Sequence, residues 1–330
     1  MKLDFRKPTL DDKELIEQHY RLAGSRSCED TFVNLYLWNG MYPTDFALYH
    51  DMMILKSARE DFSFRFPKGP RGHLREALDA MALYSAEQGR PFRMDLVTPE
   101  QFSLLEELYP GRFEIAYDRD SADYVYEREK LAELSGKKYH GKKNHVNKFE
   151  RTYSDWSYEP ITDENVGDCV QAAMEWRKSN GCGGDDEKEM EFCVTLNSLR
   201  LMKELGLRGG CLRVNGRVVA FTIGEPLNDD TYVVHIEKAL TDFEGAYTVI
   251  NQQFVQREME GFLYVNREDD AGDEGLRLAK LSYHPAFMVE KGVVTEKSGT
   301  QGWKEKEDVR DDRGKNERIC GEQFSDPRNV

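Results

Sequence analysis

His235 and Glu237, two residues apart on one short run, are side chains that could move a proton. They lie in 231–240, where β-branched and apolar residues predict a strand. Strand alternation puts His235 and Glu237 on one face and Tyr232, Val234 and Ile236 on the other. Either polar side chain could take up a proton, directly or through water. A half-buried polar face making cross-strand pairs is the alternative. The run ends in Thr241-Asp242-Phe243-Glu244-Gly245 and opens a helix expected over 246–259. The N-terminus of that helix would offer unpaired N–H groups and a positive dipole end to a phosphate or pyrophosphate, with Gly245 and Ala246 nearest the ligand. An ordinary strand-to-helix turn with one glycine accounts for the same residues.

A second polar group follows. A strand at 262–267 ends at Asn266, and an acidic loop with Glu268 and Asp269 leads to a short helix carrying Arg277, Lys280 and Tyr283. Arg277 and Lys280, spaced i,i+3, share a helix face and either grip phosphates or are simply solvated. Further back, Lys137, Lys138, Lys142, Lys143, Lys148 and Arg151 interleave with His140, Asn144, His145 and Asn147. Such lysines are usually solvated. On a chain of net charge −15 they also suit a phosphate-bearing partner, with Lys142, Lys143 and Lys148 as the contacts. The acidic balance excludes wholesale coating of nucleic acid.

No metal site is expected. The six cysteines are scattered, with no CxxC pair and no histidine at ligand spacing, and they read as small buried residues except for exposed Cys182 and Cys320. Cys182, in the polar loop 181–186, has no base beside it to make a nucleophile.

The elements that must position these residues fall into two groups. A chain of 330 residues suits two domains of roughly 130–150 residues. The first has helices at 11–22 and 31–39 and strand-like runs at 45–50, 52–57 and 62–66. A helix at 71–88, a strand at 92–97, a helix at 99–108 and strands at 112–117 and 124–127 complete it. The second has a strand at 156–160, helices at 163–179 and 188–205, and a hairpin turned by Asn215-Gly216. It closes with a strand at 286–294. The order of elements is α/β or α+β, similar in both halves, which suggests duplication of one fold. The expected boundaries are 1–127, a basic connecting helix at 128–152, 153–295, and a charged disordered tail at 296–330. With no run of ~18–20 apolar residues and no signal peptide, a cytoplasmic protein is expected.

The run Asn266-x-Glu268-x-Asp270-x-Gly272-x-x-Gly275-Leu276-Arg277-x-Ala279-Lys280-x-Ser282-Tyr283-x-Pro285 resembles the C-terminal signature of phosphatidylglycerol lysyltransferase-type domains, the DUF2156 group. Lys142-Lys143-Asn144-His145-Val146-Asn147-Lys148-Phe149 is similar to that family's basic helix, and Thr31-Phe32-x-Asn34-Leu35-Tyr36-x-Trp38 to its N-terminal aromatic element. The likeness extends from about residue 11 to 294. It implies two tandem acyl-CoA N-acyltransferase (GNAT-like) lobes, mixed sheets flanked by helices, that move an acyl or aminoacyl group to an amine or hydroxyl. In such folds the central strand lines the cleft where donor and acceptor meet, which is the place of His235 and Glu237. Tyr283 falls where a tyrosine protonates the leaving group, or else packs near the helix end. Asn266, Glu268 and Asp269 would support the splayed neighbouring strand.

The donor implied is acyl-CoA or an aminoacyl-tRNA, with no tightly bound cofactor. The acceptor implied is a small molecule, a peptide, or a lipid headgroup reached from the surface, since no membrane-spanning run is present. A non-catalytic module of the same fold, binding RNA or a protein through the basic segment, is the alternative.

Overall fold

Asn215 and Gly216 both adopt left-handed backbone, φ 50° and 77°, and turn the hairpin that their residue types predict. The structure, a computed structural model, describes residues 3–180, 186–299 and 303. The glycine-rich loop with Cys182, Cys320, and the tail beyond 299 apart from Trp303 lie outside the described residues. The strands are β1 Thr44–Tyr49, β2 Met52–Ser57, β3 Arg93–Val97, β4 Phe113–Glu127 and β5 Trp156–Pro160. They continue with β6 Arg208–Val214, β7 Arg217–Pro226, β8 Thr231–Ala239, β9 Tyr264–Asn266 and β10 Phe287–Glu296. The helices are α1 Lys13–Ala23, α2 Phe32–Leu37, α3 Leu74–Glu87, α4 Pro99–Leu108, α5 Arg128–Glu133 and α6 His140–Thr152. After them come α7 Val166–Asn180, α8 Asp186–Arg200, α9 Met202–Leu205, α10 Ala246–Glu258 and α11 Glu274–Leu281. Among the described residues no helix is long and apolar enough to cross a membrane.

The fold is α+β, a mixed sheet flanked by helices. Among the described residues one sheet runs β3-β10-β4-β9-β8-β7-β6-β5, and β1 and β2 form a separate hairpin. All neighbours in the large sheet are antiparallel except β8 and β9. One face is covered by α5, α6 and α10, which bury Tyr126, Tyr232, Val234, Phe149 and Ile250. The opposite face buries Ile16, Phe32, Phe192, Phe221 and Ile236. A third cluster, with Phe64, Met81, Phe92, Phe113 and Val294, fills the end of the sheet near β3.

Several local expectations change. The run 62–66 makes only isolated bridges at Phe64, although Phe62, Phe64 and Phe66 are all buried. The two strands expected at 112–117 and 124–127 are one strand, β4. Asp118 and Asp123 of β4 face Lys291 and Val289, so four residues loop out opposite Glu290 alone. The closing strand does not stay with the C-terminal elements: β10 lies between β3 and β4, and the sheet runs unbroken past 127 and 153. The reason is burial, because Val294 belongs to the third cluster and Lys291 is sealed against Asp123. Trp303, expected in a disordered tail, packs edge-on against Tyr109 and at a tilt against Phe92 and Phe113, and donates to Glu296 at 2.8 Å. Cys28, Cys169 and Cys211 are buried as expected, but Cys193 is exposed.

Lys291 and Asp123 are both fully buried, and Lys291 Nζ donates to Asp123 Oδ1 at 2.6 Å and to Glu29 Oε1 at 2.8 Å. Burial pushes the Asp123 carboxyl up, while Lys291 and Arg65 overcome burial at Glu29 and hold it down at about 2. Cys28, Glu29 and Asp123 bring ligand atoms within 4.8 Å of one another, but the Lys291 ammonium already sits among them. Removing one member of such a pair strands the other charge in the interior. Lys291→Met is expected to lower stability by about 3–5 kcal/mol in urea titration, and pairing it with Asp123→Leu is expected to recover most of that loss. Equal stability of Lys291→Met and wild type would rule this out.

Candidate active site at the opening between β8 and β9

Pairing of β8 with β9 ends at Val233↔Asn266 after three residue pairs, while β8 continues to Ala239. Beyond that point β8 borders an opening in the sheet. A β-bulge lies at the same place: Ile223 opposes Ile236 and Gly224 opposes Val234, which leaves His235 as the extra residue. The insertion resets the alternation. Tyr232 and Val234 pack on the α10 side, and Glu237 is bonded there by Asn251 of α10. Ile236 packs on the opposite side, and His235 reaches Glu268 and Asn34 of α2 is bonded to that same carboxylate. The expectation that His235 and Glu237 share one face, with Val234 and Ile236 on the other, is therefore corrected. One inserted residue flips every position after it.

On the α10 face, Glu237 Oε1 accepts from Arg267 Nη2 at 2.8 Å and Oε2 accepts from Asn251 Nδ2 at 2.9 Å. The Arg267 guanidinium lies 4.8 Å from the Tyr283 ring centroid and 5.7 Å from that of Tyr126. Tyr283 is buried, its hydroxyl 3.4 Å from Thr248 Oγ1, and burial pushes its pKa up. The Lys142 ammonium stands 3.8 Å from the Tyr283 ring centroid. Burial, helped by Arg267 and opposed by Glu237, pulls Lys142 down to about 8. Arg267 Nη1 and Asn251 Oδ1 are buried with no hydrogen-bond partner among the described residues. A donor and an acceptor are thus free to meet a ligand beside Glu237, Tyr283 and Lys142.

On the other face, His235 is clamped between carboxylates, Nδ1 to Glu268 Oε1 at 2.8 Å and Nε2 to Glu225 Oε1 at 3.0 Å. Burial works against the charged ring, but the two carboxylates outweigh it and push His235 up to about 9. Each ring nitrogen faces a carboxylate oxygen, so both are engaged in bracing the bulge. Glu268 also accepts from Asn34 Nδ2 at 3.0 Å. Beside this clamp opens a cavity of ≈ 550 Å³ whose lining includes Tyr20, Trp38, Tyr42, Glu29, Glu268 and Asp269. Burial, opposed by Lys291 and reinforced by Glu29, Asp123 and Glu268, pushes Asp269 up to about 7.

The remaining candidates build the frame. Asn266 Nδ2 donates to Arg26 O at 2.8 Å and Asp123 Oδ2 at 3.0 Å, and its Oδ1 accepts from Glu268 N at 2.6 Å. Lys280 Nζ is buried against the carbonyls of Arg267, Glu268 and Asp269. Arg277 is bidentate with Asp270 at 2.9 and 2.8 Å and also reaches Asp120 at 2.6 Å. Both cations are engaged by partners within the protein. Gly245, at φ 92°, gives way to α6: a Cβ there would lie 2.8 Å from His145 O and 3.2 Å from Phe149 Cβ. Ala246 is fully buried, so α6 covers the helix start expected to hold a pyrophosphate. Lys143 is exposed, and Lys148 pairs with Glu244 at 2.5 Å. Arg267, Asn251 and Asn34 were not among the expected site residues. Asn34 stood in the aromatic element as the polar exception; Asn251 carried no signal.

A histidine that binds its proton more tightly folded than unfolded stabilises the fold fully below its free value of about 6.5 and loses that contribution as pH rises through about 9. The shift corresponds to roughly 3 kcal/mol. The urea midpoint is expected to fall between those two pH values in the wild type, and His235→Gln is expected to flatten that fall. A histidine variant with an unaltered pH profile would show that the clamp is not the source.

The family model for the C-terminal domain of phosphatidylglycerol lysyltransferase matches residues 20–293. A conserved protein of unknown function from Bacteroides thetaiotaomicron is 39% identical, covering 89% of this chain and 100% of that one at a TM-score of 0.84. L-PGS from Bacillus licheniformis matches at a TM-score of 0.62 over 89% of this chain and 94% of that one; at 14% identity this likeness shows the fold. An uncharacterized protein of Mycoplasmoides gallisepticum is 23% identical over 177 residues, 53% of this chain and 56% of that protein. The chain thus spans little more than half the length of that curated relative. With the family model covering most of its length, the chain belongs to the phosphatidylglycerol lysyltransferase C-terminal family.

Proposed function

We propose that this chain transfers an acyl group, and specifically an aminoacyl group from a charged tRNA, to an amine or hydroxyl acceptor at the opening between β8 and β9. The observation that carries this reading is the convergence of Glu237, Arg267, Tyr283 and Lys142 there, with Arg267 Nη1 and Asn251 Oδ1 unpartnered. Lys142, held near 8, takes the proton from the acceptor, whose nitrogen or oxygen bonds to the donor carbonyl carbon. Arg267, oriented by Glu237, donates to the carbonyl oxygen as it gains charge. The bond to the leaving oxygen then breaks and Tyr283 protonates that oxygen. The acceptor's proton ends on the leaving group, by way of Lys142 and Tyr283.

Two features favour an aminoacyl-tRNA over acyl-CoA as donor. The start of α10, the natural seat for a pyrophosphate, is covered by α6. The cavity on the other face, acidic with aromatic walls, suits the ammonium of an aminoacyl group. Exposed Lys143, with His140 and His145 also exposed on α6, would meet the nucleic acid. The same helix supports a second reading, a module that binds RNA without transfer.

Glu237→Gln is expected to lower transfer by roughly 10²-fold. Wild-type transfer is expected to rise with pH through about 8, and Lys142→Arg, which keeps the charge but cannot shed the proton, is expected to abolish that rise. Both are checked by single-turnover assays with charged tRNA; full activity in both variants would sink the mechanism. A thermal-shift screen with acetyl-CoA, longer acyl-CoAs and charged tRNA is expected to show stabilisation by the tRNA. RNA binding without any transfer would favour the second reading.

A further inference from the structure

The cavity beside the His235 clamp is rich in carboxylates, yet cations inside the protein already answer most of them. Asp30 accepts from Lys68 at 2.6 Å, Glu29 from Lys291 at 2.8 Å, and Asp120 from Arg277 at 2.6 Å. Glu268 is bonded by His235, and Asp118 is exposed to water. That leaves Asp269, whose Oδ1 accepts from the Ala271 backbone at 3.1 Å and which makes no ion pair among the described residues.

Two other groups in the lining have the opposite need. Arg65 Nη1 and Tyr20 Oη are buried without a hydrogen-bond partner among the described residues, and both side chains line the cavity. The charge of Arg65 acts on the Tyr20 hydroxyl and on Glu29, so the three groups share one neighbourhood. Glu29 does not answer it. That carboxylate accepts from Lys291 and from the Ser27 hydroxyl, and Arg65 makes no ion pair among the described residues. Arg65 is fixed in place by its backbone, which donates to Leu55 O of β2 at 3.0 Å, whereas Glu268 and Asp269 come from the loop after β9. A buried guanidinium and hydroxyl without partners cost free energy that a ligand oxygen placed between them would recover. The volume, ≈ 550 Å³, is that of a small-molecule site.

We propose that Arg65 and Tyr20 form a carboxylate-binding subsite, so that the cavity takes a dipolar group with its amine at Glu268 and Asp269 and its carboxylate at Arg65. Applied to the transfer proposed above, and resting on that reading, the aminoacyl group is aspartyl or glutamyl. Its α-amine meets Glu268 and Asp269, and its side-chain carboxylate accepts from the Arg65 guanidinium and the Tyr20 hydroxyl. A cationic side chain would set like charge against Arg65. An aliphatic one would leave both donors unbonded, and a site that strands its own buried polar groups rejects the wrong ligand steeply.

The test is isothermal titration calorimetry of the full chain with the α-amides of glutamate, aspartate, glutamine and lysine, the amide standing in for the acyl link to tRNA. The better of the two acidic amides is expected to bind at least roughly ten-fold more tightly than the glutamine and lysine amides. Arg65→Gln is expected to weaken that binding by roughly ten- to a hundred-fold and to remove the advantage over the glutamine amide. Tyr20→Phe, which keeps the ring, is expected to weaken it by about three- to ten-fold. Circular dichroism checks that each variant is folded, and Tyr20→Phe carries the test if Arg65→Gln does not fold. Lysine amide that binds as tightly as the acidic amides overturns the proposal, as does failure of both acidic amides to bind. Folded variants that bind like wild type overturn it too. Binding of an acidic amide with no transfer from any charged tRNA overturns the transfer reading alone. Transfer from lysyl-tRNA by a chain that binds neither acidic amide overturns the subsite alone.

Discussion

The buried Lys291–Asp123 ion pair is the constraint on which the arrangement of the site depends. Each charge would be costly alone in the interior, so β10 and β4 must stay in the register that joins them. Asp123 also accepts from the Cys28 backbone at 2.8 Å and from Asn266 at 3.0 Å. Through these bonds one carboxylate ties together the last strand, the loop before α2, and the end of β9. It is the end of β9 that fixes where β8 and β9 part.

From that junction the two faces of the opening receive different roles. The bulge at His235 sends one ionisable group to each side. On one side His235 is locked as a cation between Glu225 and Glu268, and Glu268 is in turn held by Asn34. On the other, Glu237 orients Arg267 beside Tyr283 and Lys142. The three stretches that carry the family resemblance, far apart in sequence, meet here: Asn34, Lys142 and the run from Asn266 to Tyr283. Lys280 and Arg277, which look like ligand contacts on a helical wheel, instead brace the loop between β9 and α11.

The division between what was legible and what was not follows the range of the forces involved. The Asn215-Gly216 hairpin, the strand of β8, the helix of α10 and the signature from Asn266 to Pro285 are local, and their residue types and spacing suffice to place them. The family and the α+β class could therefore be read from the chain itself. A bulge adds a residue without altering composition, so nothing in 231–240 told that His235 and Glu237 would part. Gly245 looked like a phosphate-binding glycine because its need for φ 92° is the same whether a ligand or helix α6 comes close. Lys142 looked like its exposed neighbour Lys143, and only the packing of α6 over Tyr283 turned it inward and lowered its pKa. The placement of β10 between β3 and β4 belongs to the same class. It depends on where a buried lysine finds a carboxylate some 168 residues away, and pairing at that distance is decided by tertiary burial and not by local sequence.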